Sequence, residues 1–354
     1  MLTELDDLLT HQTFETHDRV FMDDPRWTER FIIEVHDRKG EVFLFTGLGI
    51  YPNTQYMDGF AICWHDGRQR NLRAGRELGN NRWDLHAGPL RFDITDPMRT
   101  WRLAADDAGY GFSFDIEFAR RTQPFQMPTM LIERDGEIMV GYSHFVQAGE
   151  YSGWVEVDGR RFDVTGWTGE RDRSWGVRPA SARTRRGLHT WLPIQFDDTS
   201  IWLWTRDDAQ GRQAGLCGAV RPVDLEAPGD PVAITGYRHD LEIEVVGDHR
   251  VLRGGRLEIQ TAVGETIELE VEPLGPVISL LGGGYGGEHA QGTPKGPLFV
   301  DGEVWDFREP GAFARLPHSI LEHPCRFRWG GKVGYGCFEL CIGEYEPLGL
   351  GPVS

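Results

Sequence analysis

Two carboxylates, three guanidinium groups and one indole fall within ten positions between Gly169 and Arg178, which read Gly-Glu-Arg-Asp-Arg-Ser-Trp-Gly-Val-Arg. An ionised side chain is seldom fully buried unless paired, and arginine cannot shed its charge. The stretch therefore either sits in water or builds an internal ion-paired cluster. Trp175 argues against plain exposure, because an indole packs its body and gives its N–H to a partner. Glu170 and Asp172 are two apart, so on a strand they share a face. In an aromatic pocket, desolvation raises a carboxyl pKa until the group can donate a proton near neutrality. Arg171, Arg173 and Arg178 would instead hold it ionised. Two readings stay open: Glu170 or Asp172 as acid or base, or Asp172 as half of an Asp–Arg pair pinning two halves of the chain together.

Further groups lie on either side. His144 sits in Val140-Gly-Tyr-Ser-His-Phe-Val, where Tyr142 faces the same way. His189 and Trp191 put an imidazole and an indole on one face just past the charged stretch. The twelve histidines form no His-Glu-x-x-His pair, and no Gly-x-Ser-x-Gly elbow is present. The twelve tryptophans, among them Trp175, Trp191 and Trp204, suit an aromatic-lined cavity. Indole faces stabilise a developing carbocation by up to ~2 kcal/mol when desolvated. Cys63, Cys217, Cys325, Cys337 and Cys341 are scattered, and the strand-like spacing of the last two makes no metal knuckle. Free thiols, no metal and no cofactor are expected. The glycine-rich run 281–292 lacks the Gly-Lys-Ser/Thr of a phosphate loop and reads as a flexible loop near a cavity mouth.

The elements that must position these groups are strands. The length of 354 residues suits two domains. A net charge of −18 disfavours nucleic acid and anionic membranes as partners, apart from a local basic patch at Arg183, Arg185 and Arg186. No run approaches a membrane span and the N-terminus is no secretory signal, so a cytoplasmic protein is expected; a homodimer is left open. Phe112, Phe114, Ile116 and Phe118 alternate with Ser113, Asp115, Glu117 and Ala119, as in a half-buried antiparallel strand. Asp-Gly at 58–59, 66–67, 135–136, 158–159 and 301–302 predicts tight hairpins. The expected fold is all-β: an N-terminal segment 1–29, then two antiparallel barrel-like or sandwich-like domains, 30–175 and 176–354.

At Asp172-Arg-Ser-Trp175, followed by Trp191-Leu-Pro-Ile-Gln-Phe-Asp-Asp198, the chain resembles the hydroxyneurosporene synthase (carotenoid hydratase) family and its AttH-like relatives. The motif of that family is Asp-His-x-Trp, then Trp-x-x-x-Gln-x-Asp-Asp. The resemblance implies tandem lipocalin-like domains and a cavity for an apolar small molecule, isoprenoid-like or polyketide-like. It also implies cofactor-independent hydration, isomerisation or cyclisation. Asp172, Glu170, His144 and His189 are then the candidate acids and bases. Trp175, Trp191, Gln195, Tyr142, Trp204 and Arg178 are the candidate substrate contacts. Arg173 replaces the family's histidine and cannot act as a general acid. The alternative is a non-catalytic lipid- or terpenoid-binding protein of the same fold.

Overall fold

The computed structural model describes residues 2–12, 14–178, 185–226 and 229–353; Arg183 lies outside them. Among the described residues the chain has no α-helix, and its strands form two antiparallel sheets of fourteen and nine strands. The first runs from Trp27–His36 to Trp167–Val177, with the late strand Leu298–Asp306 added at one edge. The second holds the other strands between Leu188 and Ile342. Its ladder closes on itself, because Thr266–Pro273 pairs with both His249–Thr261 and Leu321–Trp329. Closure removes the exposed edges that make open sheets aggregate.

Each sheet wraps its own core. Phe31, Ile33, Val35, Leu44, Trp101, Phe114 and Phe118 fill the first, and Leu192, Ile194, Leu203, Ile259, Phe327 and Phe338 fill the second. A third cluster packs the outer face of one sheet on the outer face of the other: Ile32, Phe43, Phe45, Phe60 and Ile62 meet Ile278, Leu280, Ile320, Cys337 and Cys341. Strands at this contact are buried on both faces, which is why Phe31-Ile-Ile-Glu-Val reads as a continuous apolar run. Its one charged member, Glu34, is carried into the contact with it.

The Asp-Gly expectation holds at three places and fails at two. Asp66-Gly67, Asp135-Gly136 and Asp158-Gly159 all have positive φ at both residues and turn hairpins. Asp58-Gly59 and Asp301-Gly302 lie inside the strands Tyr56–His65 and Leu298–Asp306. A Cβ at Gly302 would stand 2.2 Å from the Asn71 carbonyl oxygen, so this glycine serves close strand approach and not a turn. The run 281–292 is not simply a loop at the surface: Leu280–Gly283 forms a buried 3-10 turn, and Arg73 Nη1 donates to the Gly282 carbonyl at 2.9 Å. Among the described residues no helix is long and apolar enough to cross a membrane.

Candidate functional site

The strand Trp167–Val177 sits in the middle of the first sheet, between Trp27–His36 and Glu137–Val157. Its pleat sorts the charged stretch by parity. Glu170, Asp172 and Ser174 project toward the second sheet and line a cavity of about 340 Å³. Arg171, Arg173 and Trp175 project the other way, into a separate pocket with Phe31, Trp101 and Phe145. There the Arg171 guanidinium lies 4.8 Å from the Trp101 ring centre and 5.2 Å from that of Phe145. Arg173 pairs with Glu29. The segment is thus neither a wet surface nor one ion-paired cluster.

Register brings other groups to the cavity face. Glu34 is directly opposite Glu170, Ile32 opposite Asp172 and Arg30 opposite Ser174 on one flank, while His144 opposes Ser174 and Tyr142 opposes Gly176 on the other. The second sheet contributes His189, Trp191, Trp204, Glu322 and Glu339, and Tyr285 enters from the segment after the 3-10 turn. Eight of the ten residues proposed from sequence therefore line one cavity: Glu170, Asp172, His144, His189, Tyr142, Trp191, Trp204 and Arg178. Trp175 does not, because 175 has the opposite parity to 170 and 172. Gln195 does not either. Its amide donates to the Gly169 carbonyl and accepts from Arg121 Nη1 at 2.6 Å, tying the two sheets together beside the cavity. A side chain at 173 faces away as well, so the departure from the resembled motif at that position removes nothing from the cavity wall.

The polar geometry is specific. Trp191 Nε1 donates to Glu170 Oε1 at 2.7 Å. His144 Nε2 stands 3.2 Å from Asp172 Oδ2, within ion-pair distance but not aligned as a hydrogen bond, and Asp172 Oδ1 has no partner. Among the described residues Asp172 therefore has no arginine within ion-pair distance. His189 Nε2 is 2.8 Å from Glu339 Oε1, and Trp204 Nε1 donates to His189 Nδ1 at 3.3 Å. An indole N–H can only donate, so Nδ1 accepts and the neutral ring carries its proton on Nε2, toward Glu339. The His144 and Trp191 ring centres are 4.8 Å apart.

Burial decides the ionisation of the acids. Glu170, Glu34 and Glu322 are all buried, and desolvation pushes each carboxyl well above the usual range. Like charge adds to it: Glu34 acts on Glu170, and Glu339 acts on both Glu34 and Glu322. Carboxylates directly opposite across a ladder repel, and the relief is to keep a proton. His144 is shifted the other way, held below its ordinary value by burial in spite of Asp172. Among the described residues two groups could supply metal ligands: Glu34, Glu322 and Cys337, whose ligand atoms lie within 4.8 Å of one another, and Asp6, His11 and His17 near the surface. Within the first, Cys337 Sγ donates to Glu322 Oε2 at 2.9 Å.

Glu34, Glu322, Glu339, Arg30 and Tyr285 were not among the residues picked from sequence. Glu34 did leave a signal, as a lone acid in an apolar strand.

The fold is that of known two-domain lipocalin-like proteins. An AttH candidate from Nitrosomonas europaea superposes with a TM-score of 0.60 at 13% identity, over 95% of this chain and 98% of that one. CghA in its structure with Sch210972 gives 0.53 at 12% identity, over 90% and 89%. Kievitone hydratase from Nectria haematococca gives 0.52 at 10% identity, over 89% and 88%. No curated protein matches the chain by sequence. Residues 2–351 match the family of unknown function DUF8625, and the chain belongs to that family.

Proposed function

We propose that the cavity between the two sheets carries out Brønsted-acid chemistry on a small hydrophobic molecule, with Glu170 as the proton donor. The observation that carries this reading is the Glu34–Glu170 pair: two buried carboxyls directly opposite on neighbouring strands, both pushed up by desolvation. A proton held there above the usual carboxyl range is available at the cavity wall. The Trp191 N–H occupies Glu170 Oε1, which leaves the proton on Oε2. Glu322 and Cys337 extend the same shared-proton cluster behind it.

Glu170 would pass its proton to an alkene carbon or a carbonyl oxygen of the bound molecule, becoming a carboxylate as the C–H or O–H bond forms. The resulting cation would sit against the Trp191 and Trp204 rings, which favour positive charge over their faces. His144, neutral through burial, would then take a proton from an attacking water, and Asp172 would steady the imidazolium. That gives hydration; loss of a substrate proton to His144 instead gives isomerisation, and attack by a second alkene gives cyclisation. That one protein of similar fold is named a hydratase supports the reading. The test is incubation of the purified chain with candidate apolar alkenes and enones in deuterated water, with mass spectrometry for deuterium at carbon. Wild type should incorporate deuterium and folded Glu170→Gln should not; undiminished incorporation by the variant removes Glu170 from the mechanism.

A further inference from the structure

The cavity face is graded in charge along the strands. A two-residue step on a strand covers about 6.7 Å. Glu34 and Glu170 face each other at one level; Ile32 and Asp172 follow, then Arg30 and Ser174 with His144 alongside, then Tyr142 beside Gly176, and Arg178 lies beyond. Four residues, or about 13 Å of strand, separate the Glu34–Glu170 level from the Arg30–Ser174 level. On the first sheet the Glu34–Glu170 pair and the Arg30–Arg178 guanidinium groups thus stand at different levels of one cavity, with Asp172 and His144 between them.

Of the three arginines that line the cavity, Arg206 lies on the second sheet; Arg30 and Arg178 have no carboxylate within ion-pair distance among the described residues, although acids line the same cavity. Arg30 Nη2 donates to the Tyr51 hydroxyl at 3.4 Å, and that hydroxyl donates to Asp58 Oδ1 at 2.9 Å. Arg178 Nη2 donates to Ser174 Oγ at 2.9 Å, and its guanidinium carbon lies 4.5 Å from the Tyr142 ring centre. Arg178 Nε is buried with no partner. Burial, and after it the neighbouring Arg30 charge, weaken the hold of Arg178 on its proton. Asp58 reaches Arg30 only through the Tyr51 hydroxyl, and Asp172 acts on Arg178 from beyond ion-pair distance, so two like charges share a poorly solvated space that an anion between them would favour. Tyrosine and serine, not carboxylates, make the direct contacts of both side chains, and their remaining N–H groups suit a planar oxyanion.

We propose that the substrate is an apolar molecule bearing one carboxylate-type oxyanion, held between Arg178 and Arg30. The atom to be protonated lies on the order of 10 Å from that anion, set by the strand rise less side-chain reach. This rests on the reading of Glu170 as the acid, and it adds the class of molecule and its orientation. It also assigns Arg30, Ser174, Tyr142 and Tyr285 to recognition, away from the Glu34–Glu170 pair.

The probes are 2-naphthoate and 2-naphthamide, which match in shape and differ in charge. Isothermal titration calorimetry on the full chain at pH 7.5 should give at least tenfold tighter binding of the carboxylate. Arg178→Met should abolish that preference, and Arg30→Met should reduce it. A denaturation curve for each variant keeps loss of fold apart from loss of recognition. Glu170→Gln should retain the preference, so an active Glu170→Gln protein would sink the acid assignment and leave the anion site standing. Equal affinities, no binding of either probe at millimolar concentration, or a preference that survives Arg178→Met in a folded protein would overturn the proposal.

Discussion

Replacing Glu170 by glutamine should make the protein more stable as the pH rises, and by an amount that the site fixes. In the folded chain burial, and then Glu34, keep a proton on Glu170 well above the usual carboxyl range. In the unfolded chain the same carboxyl loses it near pH 4.3. Between those two values the folded state binds the extra proton, so stability is full below about pH 4.3 and falls as pH rises through the folded value. One such group costs about 1.4 kcal/mol per pH unit inside that window. Glutamine has no proton to lose, and its carbonyl can still accept from Trp191. From pH 5 to pH 8 the stability of Glu170→Gln relative to wild type should therefore climb by up to about 4 kcal/mol, flattening once the folded pKa is passed. The assay is denaturant unfolding at each unit of pH, followed by tryptophan fluorescence. The difference between the two curves is the quantity to read. His249 and His323, which burial holds down to about 4, tilt both curves the opposite way between about pH 4 and 6.5. Parallel curves, or a variant that loses ground with rising pH, would refute the claim that Glu170 is a buried neutral acid.

Three further outcomes follow from the geometry. Arg173→Met should cost about 1–2 kcal/mol in unfolding experiments, through the partly screened Glu29 pair and its contacts with Phe31 and Trp175. It should leave naphthoate binding in the cavity unchanged, because the side chain is on the other face of its strand. Gln195→Leu should cost about 2–3 kcal/mol, since it strands the Gly169 carbonyl and the Arg121 donor at the seam between the sheets. Trp204→Phe removes the donor to His189 Nδ1; nitrogen-15 NMR of the imidazoles should then show His189 leaving its single Nε2–H form for a tautomer mixture. An unchanged His189 signal would mean that Glu339 alone fixes the ring.

Period-two alternation made the fold legible, since Phe112 to Ala119 can only be a half-buried strand and the scarcity of helical spacing left antiparallel sheets as the packing. The same periodicity placed Glu170 with Asp172 and His189 with Trp191. The same parity separates Trp175 from them, although Trp175 shares a short motif with Asp172. What could not be read was pairing between distant segments. Glu34, Arg30 and Glu322 enter the cavity through registers that link residue 34 to 170 and 322 to 339, and no local pattern encodes such a register. The Asp-Gly pairs at 58 and 301 failed for a related reason: a glycine that lets two backbones approach looks, in sequence, like one that turns a hairpin.

The strand Leu298–Asp306 closes this picture in time as well as in space. It pairs along its whole length with Arg68–Glu77 at the outermost position of the first sheet. A ribosome adding ~5–20 residues per second leaves the flank of Arg68–Glu77 bare for roughly ten seconds or more before its cover emerges. Truncated chains ending before residue 298 would carry that bare flank permanently and should self-associate through it. Full-length synthesis instead makes completion of the early sheet one of the last events of folding.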